Sequence, residues 1–159
     1  MFGRIVNRVR DMFAPRSVVV KTPRVIPAAE HRIDPALVSV EARATCEALK
    51  RRGFQAYIVG GAVRDLMLGV TPKDFDVATD ATPEQVKRCQ RRAVIIGRRF
   101  KLVHVIFGRE IIECSTFRAL EGEGQRKDAT GRVVSDNVFG EMWEDAARRD
   151  FTINALYYD

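Results

Sequence analysis

The hydrophobic positions along this chain predict an α/β domain that begins near Asp34. Short apolar runs bounded by glycine or polar residues are typical of buried strands, and apolar positions three or four apart are typical of amphipathic helices. This order of segments predicts a mixed α/β (α+β) fold with a small, partly antiparallel sheet flanked by helices. The predicted elements are a helix from Asp34 to Gly53, a strand over 55–59, a helix over 62–68, a strand over 74–79, a helix opened by Thr82, a β-hairpin of 102–108 and 110–117, and a helical segment over 141–158.

Two of the predicted helices carry clear start signals. Asp34 precedes Pro35, which suits the first position of a helix because proline lacks the N–H that would be unpaired there. Thr82 precedes Pro83 and lies three residues before Gln85, the spacing of a capping box. The sequence therefore predicts helix starts at both places.

Residues 1–33 differ in composition from the predicted domain. Residues 1–13 place apolar side chains at helical spacing with arginines between them, a pattern that allows contact with a membrane surface or a protein partner; a frayed, partly disordered tail is the favoured interpretation. Residues 14–33 contain three prolines and are typical of an extended linker. We therefore expect a flexible basic leader and linker over 1–33 and one folded domain over 34–159.

Two further features of the chain concern its length and its cellular compartment. The chain ends at Asp159 directly after an apolar stretch and without a helix stop signal, which predicts that it is a fragment of a longer protein. Cys46, Cys89 and Cys114 are scattered without metal-ligand spacing. An odd, scattered set of cysteines is typical of a reducing compartment, so we expect a cytoplasmic protein.

The formal net charge of +6 is concentrated in two segments, the leader and the stretch 87–101. This second stretch, called the basic segment below, contains seven basic residues and no acidic one. Clustered positive charge attracts polyanions, which predicts a nucleic acid or nucleotide partner. A solvated surface that aids solubility is an equally good interpretation of charge alone.

Two aspartates offer the first candidate chemistry. Asp74 and Asp76 are separated by one residue on a predicted strand, so both carboxylates face the same side while Phe75 and Val77 face the core. Two carboxylates this close repel each other unless a cation lies between them, and Mg²⁺ prefers such hard oxygen ligands. An exposed strand without function can show the same pattern, so the pair alone is weak evidence.

A pair of glycines precedes these aspartates. Gly60 and Gly61, the glycine corner, lie where a predicted strand ends and a short helix begins, which offers backbone N–H groups to phosphate. Arg64 in the first helical turn can reach the same anion, although a plain tight turn with a surface arginine is the competing interpretation. A β-branched residue at Gly61 is expected to crowd the turn. Glycines and aspartates within one short span together predict a site for a metal-bound nucleoside triphosphate.

Three motifs follow one another in the chain: VGGAVRDLMLG (59–69), PKDFDVAT (72–79) and RRDFTINALYYD (148–159). They resemble the class II nucleotidyltransferase superfamily, whose head domain is shared by bacterial poly(A) polymerases and CCA-adding tRNA nucleotidyltransferases. The stretch IIGRRFKLVHVIFG (95–108) is more similar to the poly(A) polymerase branch. The resemblance implies a polymerase-β-like head that transfers AMP from ATP to RNA 3′ ends.

The resemblance also implies roles for the residues that match its motifs. Asp74 and Asp76 would hold catalytic Mg²⁺, with ATP as the substrate. Contacts with the triphosphate are expected from Gly60, Gly61, Arg64, Arg118 and Arg149.

A third acidic residue is expected, and two candidates remain open. Asp150 matches a family motif, whereas Glu113 would face the two aspartates if its strand pairs beside theirs. His104, flanked by valines, is interpreted as a structural strand residue, because metal ions do the activating in this chemistry.

The basic segment would contact RNA phosphates independently of base sequence. The residues expected to do so are Arg91, Arg92, Arg98, Arg99 and Lys101. Two alternatives stay open: a CCA-adding head that uses CTP and ATP on tRNA, and a non-catalytic RNA- or nucleotide-binding fragment. The non-catalytic alternative arises because the family reads the incoming base with a helical neck downstream of the head, and we expect that neck to be missing from this chain.

Overall fold

The computed structural model describes residues 22–98, 100–120, 126–127, 133–135 and 138–159. The helices are α1 (Ala28–His31), α2 (Val40–Lys50), α3 (Gly61–Met67), α4 (Pro83–Cys89) and α5 (Met142–Ala147), with 3₁₀ turns at Pro35–Leu37 and Thr152–Asn154. The strands are β1 (Ala56–Val59), β2 (Asp76–Thr79), β3 (Ala93–Ile96), β4 (Leu102–Phe107), β5 (Glu110–Thr116), β6 (Arg126–Lys127), β7 (Val133–Ser135) and β8 (Tyr157–Tyr158).

Six of these strands form one mixed sheet in the order β3-β4-β5-β2-β1-β8. β2 and β5 run parallel, and the other neighbouring pairs in this sheet run antiparallel. β6 and β7 form a separate antiparallel pair. The predicted mixed α/β fold with a partly antiparallel sheet is confirmed, and so is the predicted hairpin, which is β4 and β5.

The two faces of the sheet bury different side chains. On one face α2 and α4 cover the main core, where Leu49 and Val77 are fully buried. Successive residues of a strand point to opposite faces, so Val59 and Ala78 enter a second, smaller core. Met142 of α5 packs against that second core. Asp76 alternates with Val77 and therefore belongs to the face that α5 partly covers.

The capping box predicted at Thr82 is present. Thr82 Oγ1 accepts a hydrogen bond from Gln85 N at 3.3 Å, and Thr82 N donates to Gln85 Oε1 at 2.7 Å. These two bonds satisfy backbone groups that the first turn of α4 leaves unpaired, so α4 begins where the sequence predicted.

The single helix predicted from Asp34 to Gly53 is wrong. Asp34 accepts a hydrogen bond from Ala36 N at 2.9 Å and caps only the first 3₁₀ turn, while Ser39 Oγ accepts from Ala42 N at 3.2 Å and caps α2. Between them Val38 is extended, with ψ of 129°, and its side chain is buried in the main core. Burial of Val38 therefore interrupts the helix.

The C-terminal segment predicted as helical is helical only as far as Ala147. Tyr157 and Tyr158 instead pair with Val59 and Ile58 of β1 as an edge strand. Such pairing depends on a distant strand, which helical periodicity along the chain does not reveal.

The predicted leader is only partly described. α1 lies in the segment interpreted as a linker, and Ile33 is buried in the main core. Residues 1–21 lie outside the described residues, so the contact expected of residues 1–13 stays a prediction, as does the division of the chain at residue 34. In the described part of the chain, no helix is long and apolar enough to cross a membrane.

Candidate active site

Three carboxylates approach one another where β2 begins. Asp76 is the first residue of β2, and its partner in the parallel strand β5 is Glu113. Residues paired in this way point to the same face of a sheet. Asp74 is exposed like Asp76, whereas Phe75 and Val77 between and after them are buried. The predicted alternation is therefore present, although Asp74 precedes the strand.

The charges around Asp76 are coupled. Partial burial of its carboxyl group, then the charge of Glu113 and then that of Asp74 raise the pKa of Asp76 above its usual value, and Arg149 opposes the shift. Two negative neighbours make the ionised form of Asp76 unfavourable unless a cation compensates.

The donor set fits a cation that shares its ligands with a substrate. Within the described residues, no group of three or more His, Cys, Asp or Glu side chains is arranged to hold a metal ion by itself. Mg²⁺ is commonly held by one or two protein carboxylates and completed by substrate phosphates and water. Asp74 and Asp76 fit a site of that second kind.

His104 in β4 faces Glu113 across the antiparallel pair of β4 and β5. Its Nε2 lies 3.7 Å from Glu113 Oε2, which is longer than a hydrogen bond. This geometry agrees with the interpretation of His104 as a strand residue.

The glycine corner joins β1 to α3, and its conformational demand lies at Gly60. Gly60 has φ of 75° and ψ of −136°, a backbone conformation that residues other than glycine rarely adopt. Its N–H donates to the Leu156 carbonyl at 3.1 Å, so that donor is engaged within the protein. A Cβ on Gly61 would meet the Arg64 guanidinium at 3.5 Å, an ordinary contact. This contact concerns a Cβ alone, so the crowding expected of a β-branched residue at Gly61 stays a prediction.

Two guanidinium groups lie at this corner. Arg64 Nη1 donates to Asn154 Oδ1 at 3.1 Å, and Arg64 Nε donates to Asp65 Oδ1 at 2.9 Å. Arg149 Nη1 donates to the Asn154 carbonyl at 3.3 Å and lies 3.6 Å from where a Cβ on Gly60 would be. Asn154 thus connects both arginines, a role that the sequence did not indicate.

Asp145 is a further residue that the sequence interpretation missed. It lies in α5, is 1% exposed, and accepts hydrogen bonds at both oxygens. Oδ2 accepts from Arg149 Nη2 at 3.0 Å and from the Tyr157 hydroxyl at 2.7 Å. Oδ1 accepts from Arg148 Nε at 3.1 Å and from Arg118 N at 3.3 Å. The spacing of four residues between Asp145 and Arg149 was the available signal.

The surroundings of Asp145 keep it ionised. Burial alone would raise the pKa of Asp145, but the hydrogen bond from Tyr157 and the charges of Arg149 and Arg148 together hold it below its usual value. Burial raises the pKa of the Tyr157 hydroxyl, so that group stays a hydrogen-bond donor.

Residues 56–159 match the family described as the Poly A polymerase head domain. This chain belongs to that family. Poly(A) polymerase I of Haemophilus influenzae is 53% identical over 141 residues, covering 85% of this chain and 31% of that protein. A CCA-adding enzyme of Staphylococcus aureus is 36% identical over 120 residues, covering 75% of this chain and 29% of that protein.

Solved structures agree with this assignment. The crystal structure of the Bacillus stearothermophilus CCA-adding enzyme in complex with CTP has a TM-score of 0.58 and 36% identity, covering 75% of this chain and 27% of that one. The resemblance inferred from the sequence motifs is therefore confirmed. The head domain described here spans about a third of the length of the curated relatives it matches.

Asp150 occupies a different place in the head domain from Glu113. It is exposed, and its Oδ1 accepts a hydrogen bond from the next residue, Phe151 N, at 2.9 Å. The negative charges that shift the pKa of Asp76 belong to Glu113 and Asp74. Of the two candidates for a third carboxylate, the structure brings Glu113 to Asp76.

The remaining predicted site residues are more dispersed. The Arg118 guanidinium lies 4.8 Å from the centre of the Phe100 ring, close to the end of β5. In the basic segment Lys101 Nζ pairs with Glu84 Oε1 at 3.0 Å. The exposed members of the predicted RNA surface are Arg91, Arg92 and Arg98. Arg99 lies outside the described residues.

Proposed function

We propose that this chain is the catalytic head of a polynucleotide adenylyltransferase, which transfers AMP from ATP to the 3′ end of RNA. The observation that carries the proposal is the juxtaposition of Asp76 and Glu113, paired on adjacent strands, with the Arg149 guanidinium at the glycine corner. The 53% identity to Poly(A) polymerase I of Haemophilus influenzae favours polyadenylation over CCA addition.

Asp74 and Asp76 would hold Mg²⁺ together with the phosphates of ATP. The chemistry that Mg²⁺ would supply there is a lower pKa for the attacking hydroxyl and compensation of the negative charge on the phosphates. The backbone pairing of β2 with β1 and β5 fixes Asp76 in place. Glu113 adds a negative charge beside Asp76, which strengthens the attraction for a cation.

Arg64 and Arg149 would bind the triphosphate. Guanidinium groups bind phosphate through paired, charge-assisted hydrogen bonds. Among the buried side-chain nitrogens and oxygens of the described residues, Arg149 Nε is the one without a hydrogen-bond partner, so the guanidinium keeps one unpaired donor. Gly60 and Gly61 would let the phosphates approach the backbone closely, and Arg118 is a further candidate for phosphate contact.

The RNA would lie against the basic segment. Arg91, Arg92 and Arg98 are exposed and carry positive charge for the phosphate backbone, and Arg99 and Lys101 complete the proposed set. We further infer a cytoplasmic location, and contact of residues 1–13 with a membrane surface or protein partner.

A polymerisation assay of the natural gene product tests the proposal. Each nucleotide is offered separately, once with generic RNA and once with tRNA. Long adenylate tails on generic RNA are expected. Strict addition of three nucleotides to tRNA from CTP and ATP would assign CCA addition instead.

A binding experiment tests the 159-residue chain itself. Titration with Mg-ATP is expected to shift the amide signals of Gly60, Asp74 and Asp76 in NMR spectra. The absence of any metal-dependent shift would identify a non-catalytic module.

A further inference from the structure

We propose that Asp145 is a positioning residue for the nucleotide: it holds the Arg149 guanidinium at the glycine corner in the orientation that receives a triphosphate. The inference rests on the proposed function, because the ligand is the triphosphate of that reaction. Asp145 itself is buried beneath Arg149 and does not reach the ligand.

Arg149 is held from three sides. Its Nη2 donates to Asp145 at 3.0 Å, its Nη1 donates to the Asn154 carbonyl at 3.3 Å, and its guanidinium carbon lies 5.6 Å from the centre of the Tyr157 ring. These contacts come from α5, the last 3₁₀ turn and β8, so the orientation depends on three elements packed together. A side chain fixed before binding loses little conformational entropy when the ligand arrives.

The held guanidinium lies at the proposed triphosphate site. Its Nη1 is 3.6 Å from the position of a Cβ on Gly60, and its charge acts on Asp76. The positive group therefore lies beside the glycine corner, and its charge acts on a carboxylate of the proposed metal site. A role confined to stability would not require the guanidinium to be held at this corner.

Asp145 is suited to this task because it cannot easily release Arg149. The carboxylate is almost fully buried, and the Tyr157 hydroxyl donates to the same oxygen that accepts from Arg149. Removing the charge leaves a buried guanidinium without its counter-ion, which favours a rotated side chain that reaches water.

The test measures Mg-ATP affinity of the full chain by NMR titration in a double-mutant cycle. Asp145→Asn and Arg149→Ala are each expected to weaken binding about tenfold or more. In the Arg149→Ala background, Asp145→Asn is expected to add less than about twofold. An equal loss in both backgrounds would show that Asp145 acts on stability alone and would overturn the inference.

A matched control uses the other arginine on the same carboxylate. Arg148→Ala removes the donor to Asp145 Oδ1 and is expected to leave Mg-ATP affinity within about twofold of the wild type. If Asp145→Asn does not fold, Tyr157→Phe replaces it, because that change removes one hydrogen bond at Oδ2 and keeps the charge. Tyr157→Phe is expected to lower Mg-ATP affinity about threefold, and to have no such effect in the Arg149→Ala background. Unchanged affinity in Tyr157→Phe would overturn the inference.

A second readout needs no nucleotide. The Arg149 Nε–H signal in ¹H–¹⁵N spectra is expected to be protected from exchange in the wild type and in Arg148→Ala, and unprotected in Asp145→Asn. Protection that persists in Asp145→Asn contradicts the positioning role. If the signals behave as expected but the wild type binds no Mg-ATP, the proposed function fails while Arg149 is still held by Asp145, so the two failures are distinguishable.

Discussion

The ionised carboxylate of Asp76 is unfavourable in the folded protein, because it is partly buried and faces the negative charges of Glu113 and Asp74. Its pKa is raised, so the folded state binds this proton more tightly than the unfolded state. The resulting stability is present below the unfolded pKa and is lost as pH rises through the folded pKa. At neutral pH Asp76 therefore lowers the free energy of unfolding, and a bound cation would restore it.

Asp76→Asn is accordingly expected to raise Tm at pH 7 without metal and to abolish Mg-dependent ATP binding. The difference in Tm between variant and wild type should shrink as pH falls towards 3.8, the ordinary value for this carboxyl group. Calorimetry over that pH range measures it. Glu47→Gln, which alters an exposed carboxylate of α2, should change neither property. A lower Tm for Asp76→Asn at pH 7 would show that favourable interactions of the ionised carboxylate, such as that with Arg149, outweigh the repulsion.

Gly60 and Gly61 offer a matched pair of substitutions. Gly60→Ala should lower the free energy of unfolding by about 1–3 kcal/mol, because only glycine tolerates φ of 75° with ψ of −136°. Gly61→Ala should be neutral or stabilising by up to about 1 kcal/mol, because Gly61 begins a helix and has room for a Cβ. Urea unfolding of both variants measures the difference. Equal destabilisation would mean that crowding at Gly61 had been underestimated.

At the scale of elements, the register of β2 with β5 decides which carboxylate joins the aspartates. These strands run parallel and are separated in the chain by α4, β3 and β4, so their alignment depends on tertiary contacts. Asp150 follows α5, and its side chain accepts a hydrogen bond from the next residue, Phe151. The sequence alone could not separate the two candidates, because motif position favours Asp150 whereas the expected strand pairing favours Glu113.

This register predicts different outcomes for two isosteric variants of the natural gene product. Glu113→Gln should reduce transfer of AMP about tenfold or more, whereas Asp150→Asn should stay within about twofold of the wild type. Line broadening by Mn²⁺ at the Asp76 amide should weaken in Glu113→Gln only. The reverse order of effects would return the third carboxylate to Asp150.

At the scale of the whole molecule, the positive charge of the basic segment is available for a polyanion because its described arginines, Arg88, Arg91, Arg92 and Arg98, are exposed. Lys101 differs, since its ion pair with Glu84 offsets its charge locally. Phosphate contacts of this kind contribute affinity without base specificity and weaken as salt rises.

Replacing Arg91 and Arg92 together by alanine should weaken binding to single-stranded RNA of any sequence. The slope of log K against log salt should fall by about 1.4, which is about 0.7 for each lost phosphate contact. Fluorescence anisotropy at several salt concentrations measures both quantities. Arg51→Ala, directly after α2 and outside the basic segment, is the control. An unchanged slope in the double variant would mean that these arginines are only a solvated surface.

The sequence by itself determined what depends on neighbours along the chain. The capping box at Thr82, the β4–β5 hairpin and the alternation of Asp74 and Asp76 with buried side chains all follow from local chemistry and a period of two or 3.6 residues. The same local motifs were sufficient to identify the family.

Only the tertiary structure decided what depends on residues far apart in sequence. It placed Glu113 beside Asp76 through strand register, placed Asn154 between Arg64 and Arg149, and turned the end of a predicted helix into β8. It also buried Asp145, which looks like an ordinary helix carboxylate in the sequence. The physical reason is that strand pairing and burial of a charge are settled by contacts across the fold, which local periodicity does not record.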